Sequence, residues 1–226
     1  MSRQKTLEKN EKEVVIPAGT VHLYGILGLP PQTIGAVVFA HGSGSGRFSP
    51  RNNFVARILQ NAGIATLLVD LLEESEAQDR RKVFDIDLLT ERLLINVHWL
   101  RQQPETRGLL MGYFGASTGA AAALQAAAQE PQEIAAVVSR GGRPDLAMEY
   151  LARVTAPTLL IVGGEDIPVI PLNEAAYAQL KCLKKLVIVP GATHLFEEPG
   201  ALDKVAQLAK DWFINYLNPP DMKKQQ

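Results

Sequence analysis

Short apolar runs and longer amphipathic segments alternate along most of the chain. The apolar runs lie at 36–40, 64–69, 109–114, 134–138, 158–162 and 186–189. Strands that are buried on both faces of a parallel sheet have this composition, without an alternation of polar and apolar residues. Helical patterns lie between or after them at 53–61, 85–101, 118–129, 172–181 and 203–217. The order predicts an α/β fold, a doubly wound, mostly parallel sheet with helices on both faces.

The region before residue 30 has a different pattern. Segments 14–17 and 22–29 look like short strands on either side of the turn residues Ala18, Gly19 and Thr20, which predicts an antiparallel hairpin at a sheet edge. Segment 71–81 has the composition of a charged loop. With no repeat and no long linker, residues 1–226 are expected to form a single domain, with frayed tails at about 1–12 and 218–226.

Composition and charge narrow the choice of partners. The 226 residues include 23 Lys and Arg against 24 Asp and Glu, so that the net charge is −1 and gives no basic footprint for nucleic acid or an anionic membrane. One cysteine and four dispersed histidines offer neither a disulfide nor a structural zinc site. We find no apolar stretch approaching the ~20 residues that span a bilayer and no secretory leader, and therefore expect a cytoplasmic protein.

The most specific local pattern is Gly115-Ala116-Ser117-Thr118-Gly119, between an apolar strand and an alanine-rich helix. A serine on so sharp a strand-to-helix turn has strained backbone geometry and needs small neighbours two residues before and after it. Ser117 is therefore a candidate nucleophile. The pentapeptide alone is also compatible with a glycine-bordered turn in which Ser117 only caps the helix.

A nucleophilic serine requires a histidine as general base and a carboxylate that fixes the tautomer of the imidazole. Asp166 and His194 each follow a predicted strand, in the chain order serine, acid, histidine. We predict that these three residues form a catalytic triad. Glu165 and Asp145 also lie in loops after strands and remain alternatives for the acid.

A glycine-rich loop, His41-Gly42-Ser43-Gly44-Ser45-Gly46, follows the strand at 36–40. Backbone N–H groups of Ser43 and Thr118 are candidates for an oxyanion hole. The alternative is nucleotide binding by the loop at 42–46, with Asp70 as a ribose acceptor, but the third glycine of the dinucleotide pattern is not at its expected place.

Together, the serine turn, the histidine-glycine loop, Asp166 and His194 resemble the α/β-hydrolase superfamily, and within it the dienelactone hydrolase-related group. The resemblance implies an α/β-hydrolase fold without a large cap domain. Dienelactone hydrolase proper has a cysteine nucleophile, whereas this chain has Ser117, which favours a serine esterase. Cys182 lies between a helix and a strand and is expected to be a small buried hydrophobic residue.

Arginines follow the strand at 134–138, at positions 140 and 143. Arg140 and Arg143 could clamp an anionic group of the substrate, or could be surface residues paired with Asp145 or Glu149. The connection from 139 to 157 is too short for a helical cap, which predicts an open, shallow site and a preference for short-chain esters. We also expect His41, at a strand end, to contact substrate.

The sequence thus predicts a serine hydrolase that cleaves a small carboxylic ester, lactone or thioester through an acyl-enzyme. We expect a small-molecule substrate that can carry an anionic group, and no metal or organic cofactor, nucleic acid or membrane partner. Two other classes stay open, a nucleotide-dependent enzyme and a non-catalytic binding protein with the hydrolase fold.

Overall fold

A computed structural model describes residue 8 and residues 10–218 of the chain. One sheet contains the strands β1 (Glu11–Ala18), β2 (Val21–Gly28), β3 (Gly35–Ala40), β4 (Ile64–Val69), β5 (Met111–Ala116), β6 (Ile134–Arg140), β7 (Thr158–Gly163) and β8 (Lys184–Val189). The strand order is β1-β2-β4-β3-β5-β6-β7-β8, and all neighbours from β4 to β8 pair in parallel. The predicted fold class is confirmed.

The helices are α1 (Pro50–Asn61), α2 (Arg80–Val83), α3 (Ile86–Gln102), α4 (Thr118–Gln129), α5 (Ile170–Gln179) and α6 (Ala201–Leu217). Side chains at the helix starts satisfy backbone N–H groups that lack helical partners: Ser49 accepts from Asn52 N before α1, and Asp85 accepts from Leu88 N before α3. The five longer helices match the five predicted from periodicity, within three residues at each end.

The predicted hairpin is present at one sheet edge, where β1 pairs antiparallel with β2 in register from Glu11 opposite Gly28 to Ala18 opposite Val21. Strand β1 begins at Glu11 and therefore includes Glu11 and Lys12. The tail predicted at 1–12 extends two residues too far. The rest of both predicted tails, apart from residues 8, 10 and 218, lies outside the described residues.

Helices cover both faces of the sheet and divide the core into two layers. One layer contains buried residues of α3, α4 and α5, such as Leu93, Ala123 and Ala176. The other contains buried residues of α1 and α6, such as Leu59 and Phe213. Because side chains fill both faces, the parallel strands have the uninterrupted apolar composition seen in the sequence.

The connection from β4 to α3 is more structured than the predicted charged loop. It includes a short 3-10 helix (Glu76–Gln78) and α2. Glu76 is buried, and its carboxylate accepts hydrogen bonds from the Glu73 backbone, from Lys82 and from buried Arg92 of α3. These contacts hold the connection against the body of the domain. None of the described helices is long and apolar enough to cross a membrane.

Candidate active site

The candidate residues lie where neighbouring parallel strands end. Strands β3, β5, β6, β7 and β8 are adjacent and point the same way, so that the loops at their carboxyl ends meet at one edge of the sheet. Ser117 follows β5, Asp166 follows β7 and His194 follows β8. Ligand sites of open α/β sheets lie at this edge.

Ser117 has the unusual backbone conformation that the sequence predicts for it, with φ 50° and ψ −122°. A non-glycine residue in this region is strained, and such strain persists only where surrounding structure enforces it. Here the enforcement is close backbone packing: a Cβ on Gly119 would lie 2.2 Å from the carbonyl oxygen of Ala40, and one on Gly115 would lie 2.4 Å from Cα of Ala120. Only glycine fits at either position.

Asp166 and His194 form a direct pair. The Nδ1 atom of His194 lies 2.7 Å from Oδ2 of Asp166, whose side chain is only 8% exposed. A carboxylate at this distance keeps the proton of a neutral imidazole on Nδ1 and leaves Nε2 free to accept another proton.

The two alternative acids are placed elsewhere. The carboxylate of Asp145 binds Arg143 through two hydrogen bonds of 2.8 Å. Glu165 is exposed, and its side chain makes no hydrogen bond to His194. Of the three candidate acids, Asp166 is therefore the one in contact with the histidine.

Ser117 and His194 line the same cavity of about 220 Å³, together with Gly42, Arg51 and Arg140. The hydrogen bonds of the described residues do not include one between the Ser117 hydroxyl and His194. Without substrate, such a bond is often long, and it shortens in the complex. The geometry brings the nucleophile candidate and the base candidate to one solvent-accessible space.

Of the two oxyanion-hole candidates, only one has a free donor in this state. The backbone N–H of Ser43 donates to Oγ1 of Thr118 over 3.2 Å. Thr118 is the first residue of α4, so its own N–H belongs to the helix end that lacks internal partners. Ser43 N–H becomes available to a substrate oxygen only when the Thr118 hydroxyl turns away from it.

The imidazole ring of His41 is held by hydrogen bonds to the backbone. Its Nε2 accepts from the backbone N–H of Leu71 over 3.0 Å, and Nδ1 lies 2.9 Å from the carbonyl oxygen of Gly42, to which it donates. Burial lowers the pKa of His41, which favours this neutral form. Because both ring nitrogens bind backbone groups, His41 fixes the glycine-rich loop. His41 also lines a cavity beside that loop, and the expectation that it contacts substrate stays a prediction.

Arg140 is the last residue of β6 and Arg143 lies three residues beyond it, yet the two side chains have opposite environments. Arg143 forms an ion pair with Asp145 at the surface, which is one of the two alternatives that the sequence offers, so its guanidinium is already occupied. Arg140 is 6% exposed and lines the Ser117 cavity. Its Nη2 donates to Oδ1 of Asn52 over 3.2 Å, and its Nε is buried without a partner. No carboxylate among the described residues pairs with it.

The electrostatics of this cavity favour an anion. Burial, and the neighbouring cation Arg51, lower the pKa of Arg140 to about 10, so the guanidinium remains charged at neutral pH at a cost in free energy. Arg51 also lines the cavity, and it is paired through Nη1 with the exposed carboxylate of Glu197 over 2.8 Å while its Nε is buried without a partner. Arg140, which is buried and has no carboxylate partner among the described residues, is therefore the candidate anion-binding group.

The glycine-rich loop lies beside Ser117, at the start of α4. A Cβ on Gly42 would lie 3.0 Å from Cβ of Ser117. Asp70, the ribose acceptor of the nucleotide alternative, forms an ion pair with Arg47 and also accepts from its backbone N–H. The described residues bring together no group of three or more metal-ligating side chains.

A second and larger cavity, of about 680 Å³, lies on the other side of the glycine-rich loop. The β4–α3 connection, and not the β6–β7 connection, supplies its outer wall, through Leu72, Glu73 and Val83. The prediction of an open, shallow site concerns the cavity at Ser117, and it stays a prediction. It considered only the position of a helical cap and overlooked the apolar residues near the charged segment.

Fold and site together define an α/β-hydrolase type of protein, and sequence comparison identifies the family. Residues 25–218 match the dienelactone hydrolase family, and the chain belongs to that family. A crystal structure of dienelactone hydrolase from Anabaena variabilis is 56% identical, with a TM-score of 0.90, over 92% of this chain and 100% of that chain.

Two other similarities are informative in different ways. A Mycobacterium tuberculosis protein with the provisional name phosphoribosyl transferase is 56% identical over 93% of this chain but only 47% of its own length, so the chain spans about half of that relative. Est1E from Butyrivibrio proteoclasticus is 18% identical, with a TM-score of 0.78 over 90% of this chain and 98% of that chain, and shares the fold. At this low identity, the similarity to Est1E shows the fold alone, and the family rests on the match over residues 25–218.

We predict that Arg140→Met stabilises the protein. The lowered pKa of Arg140 corresponds to a cost of up to about 3 kcal/mol for keeping the buried group charged. Loss of the hydrogen bond to Asn52 destabilises the variant by about 1 kcal/mol and offsets part of this gain. The free energy of unfolding in urea should rise by about 1–2 kcal/mol. Arg143→Met, which removes a half-exposed cation, is the control and should change it by less than about 1 kcal/mol. A clear loss of stability in Arg140→Met would show that the cation stabilises the fold.

Proposed function

We propose that the protein is a serine hydrolase that cleaves a small carboxylic ester, lactone or thioester through an acyl-enzyme. The observation that carries this proposal is the hydrogen bond between Asp166 and His194, together with the cavity that His194 lines with the strained Ser117. Strain at one serine, a tautomer fixed by a buried carboxylate and a common cavity are together the requirements of triad chemistry. We also propose a cytoplasmic location, on the basis of a single cysteine in the chain.

In the acylation step, the Ser117 hydroxyl attacks the carbonyl carbon of the substrate, and its proton passes to Nε2 of His194. The resulting imidazolium is stabilised by Asp166. Negative charge on the former carbonyl oxygen is stabilised by the N–H of Thr118 and, after rotation of the Thr118 hydroxyl, by the N–H of Ser43. The bond to the leaving group then breaks, and His194 returns the proton to the departing oxygen or sulfur.

Deacylation repeats these steps with water. His194 takes a proton from a water molecule that attacks the acyl carbon, Ser117 leaves with that proton, and the carboxylic acid is released. No step requires a metal or an organic cofactor.

Serine rather than cysteine is the proposed nucleophile. The thiol of Cys182 lies 3.7 Å from Oγ1 of Thr158, at the amino end of β7 and thus at the opposite sheet edge from Ser117. Burial also raises the pKa of Cys182 and keeps it protonated.

We further propose that an anionic group of the substrate binds Arg140. The support is a buried guanidinium without a carboxylate partner that lines the Ser117 cavity. Arg143, which is already paired with Asp145, has no part in this proposal.

The transferase name of the mycobacterial relative does not alter this proposal. About half of that relative lies outside the match, whereas residues 25–218 of this chain match the dienelactone hydrolase family. The nucleotide alternative loses support because Asp70 is occupied by Arg47.

The first test is Ser117→Ala. Without the nucleophilic oxygen, hydrolysis of p-nitrophenyl acetate should fall by at least about a thousandfold, since removal of one triad member leaves only the remaining transition-state contacts. The melting temperature should not fall, because the substitution retains Cβ. Hydrolysis at the parent rate by the folded variant would refute the assignment of Ser117.

The acid is tested by Asp166→Asn against Glu165→Gln. The amide at position 166 favours the wrong imidazole tautomer, and kcat should fall by about a thousandfold or more. Glu165→Gln removes the charge of an exposed neighbouring carboxylate. This change should leave kcat within about twofold, since solvent screens such a charge and it contributes little to the energy of nearby groups. If the effects are reversed, Glu165 is the acid.

The anion site is tested by the preference for a carboxylate-bearing ester over its neutral analogue, expressed as the ratio of kcat/KM values. A charge-assisted hydrogen bond contributes about 1.5–3 kcal/mol, so Arg140→Met should lower this ratio by about 10- to 100-fold. Arg143→Met should leave it nearly unchanged. An unaltered ratio in Arg140→Met would mean that substrate anions do not bind there.

A further inference from the structure

The cavity of about 680 Å³ beside the glycine-rich loop has no part in the proton transfers described above. Its volume is within the range of sites that enclose small organic ligands. It lies between Ser43 on one side and the β4–α3 connection on the other, and Thr118, the neighbour of the proposed nucleophile, also lines it. The two cavities meet at Gly42, Ser43 and Ser45, which line both.

The position of each cavity relative to His194 decides which half of an ester it can hold. The leaving group must lie near His194, because that residue protonates the departing atom. His194 lines the smaller cavity and not the larger one. The larger cavity instead lies next to Thr118 and Ser43, the candidate oxyanion donors.

We propose that the larger cavity binds the acyl group of the substrate. This inference rests on the proposed serine hydrolase function. The tetrahedral carbon carries four groups: Ser117 oxygen, the oxyanion, the leaving group and the acyl chain. With the oxyanion at Thr118 and the leaving group beside His194, the space beyond Ser43 remains for the acyl chain.

The walls of this cavity specify an uncharged, mainly apolar acyl group. Leu72 and Leu89 are buried wall residues, and the half-buried Val83 adds to the apolar surface. Glu73 and Glu74 contribute carboxylates, and neither forms an ion pair among the described residues. Arg47, the cation of this wall, is paired with Asp70. A carboxylate on the acyl half would therefore meet net negative charge, in contrast to the Arg140 side.

The cavity can be filled without changing the core. Ala77 lies in the short helix at Glu76–Gln78, where it is exposed and lines the cavity. We expect Ala77→Trp to lower the ratio of kcat/KM for p-nitrophenyl 3-phenylpropanoate to kcat/KM for p-nitrophenyl acetate at least tenfold, since the acetyl group needs less of this space. Gln78→Trp adds the same side chain at an exposed neighbour that does not line the cavity, and it should have no selective effect.

Val83→Trp is a second filling variant on another wall of the cavity, and the same selective loss is expected from it. If both filling variants treat the two esters alike, the acyl-site proposal is overturned. Labelling of Ser117 by a fluorophosphonate is measured in parallel. A labelled, active parent with no selective effect of either variant refutes the acyl site alone, whereas an unlabelled, inactive parent refutes the serine hydrolase itself.

The charge of the acyl group is tested separately with two esters of similar size. The p-nitrophenyl monoester of adipic acid has a terminal carboxylate that p-nitrophenyl hexanoate lacks. We expect the parent protein to prefer the hexanoate by at least threefold in kcat/KM. A preference for the adipate monoester would contradict the assignment of this acid-lined cavity to the acyl half.

Discussion

The proposed site depends on backbone segments approaching one another at the turn after β5. The carbonyl oxygens of Ala40 and His41 lie against Gly119, and Gly42 approaches Ser117. No side chain fits between these segments, so the end of β3 and the start of α4 form one rigid unit. This packing holds Ser117 at φ 50° and, through the same contacts, places the glycine-rich loop beside it. The strained conformation of Ser117 and the position of the neighbouring amide groups thus have a common cause.

The second constraint is electrostatic. Arg140 is buried beside Ser117 with Asn52 as its hydrogen-bond partner and no carboxylate. A fold selected only for stability would not retain such a cation, because desolvation lowers its pKa and costs free energy. A bound substrate anion would offset this cost. Together with the acid-lined cavity beyond Ser43, this places positive charge on the proposed leaving-group side and negative charge on the proposed acyl side.

The sequence predicts much of this arrangement because the carboxyl ends of parallel strands lie at one edge of the sheet. Each apolar run identifies a strand, and residues after successive strands share one edge, which brings together Ser117, Asp166 and His194. Side-chain contacts are less predictable. Arg140 ends β6 and Arg143 lies just after that strand, yet Asp145, two residues beyond Arg143, pairs only with Arg143. Helical periodicity also fails for short elements, so the apolar wall formed near the charged segment at 71–81 was overlooked.

The central claim is an acyl-enzyme on Ser117, and the most direct measurement of it is trapping that species with a slowly hydrolysed substrate. A p-nitrophenyl dialkylcarbamate transfers a carbamoyl group that resists attack by water. The account predicts release of one equivalent of p-nitrophenol and a mass increase, equal to one carbamoyl group, of the peptide that contains Ser117. Ester hydrolysis should be lost in proportion to that modification. Loss of activity through a different carbamoylated residue, or full ester hydrolysis by protein carbamoylated at Ser117, would contradict it.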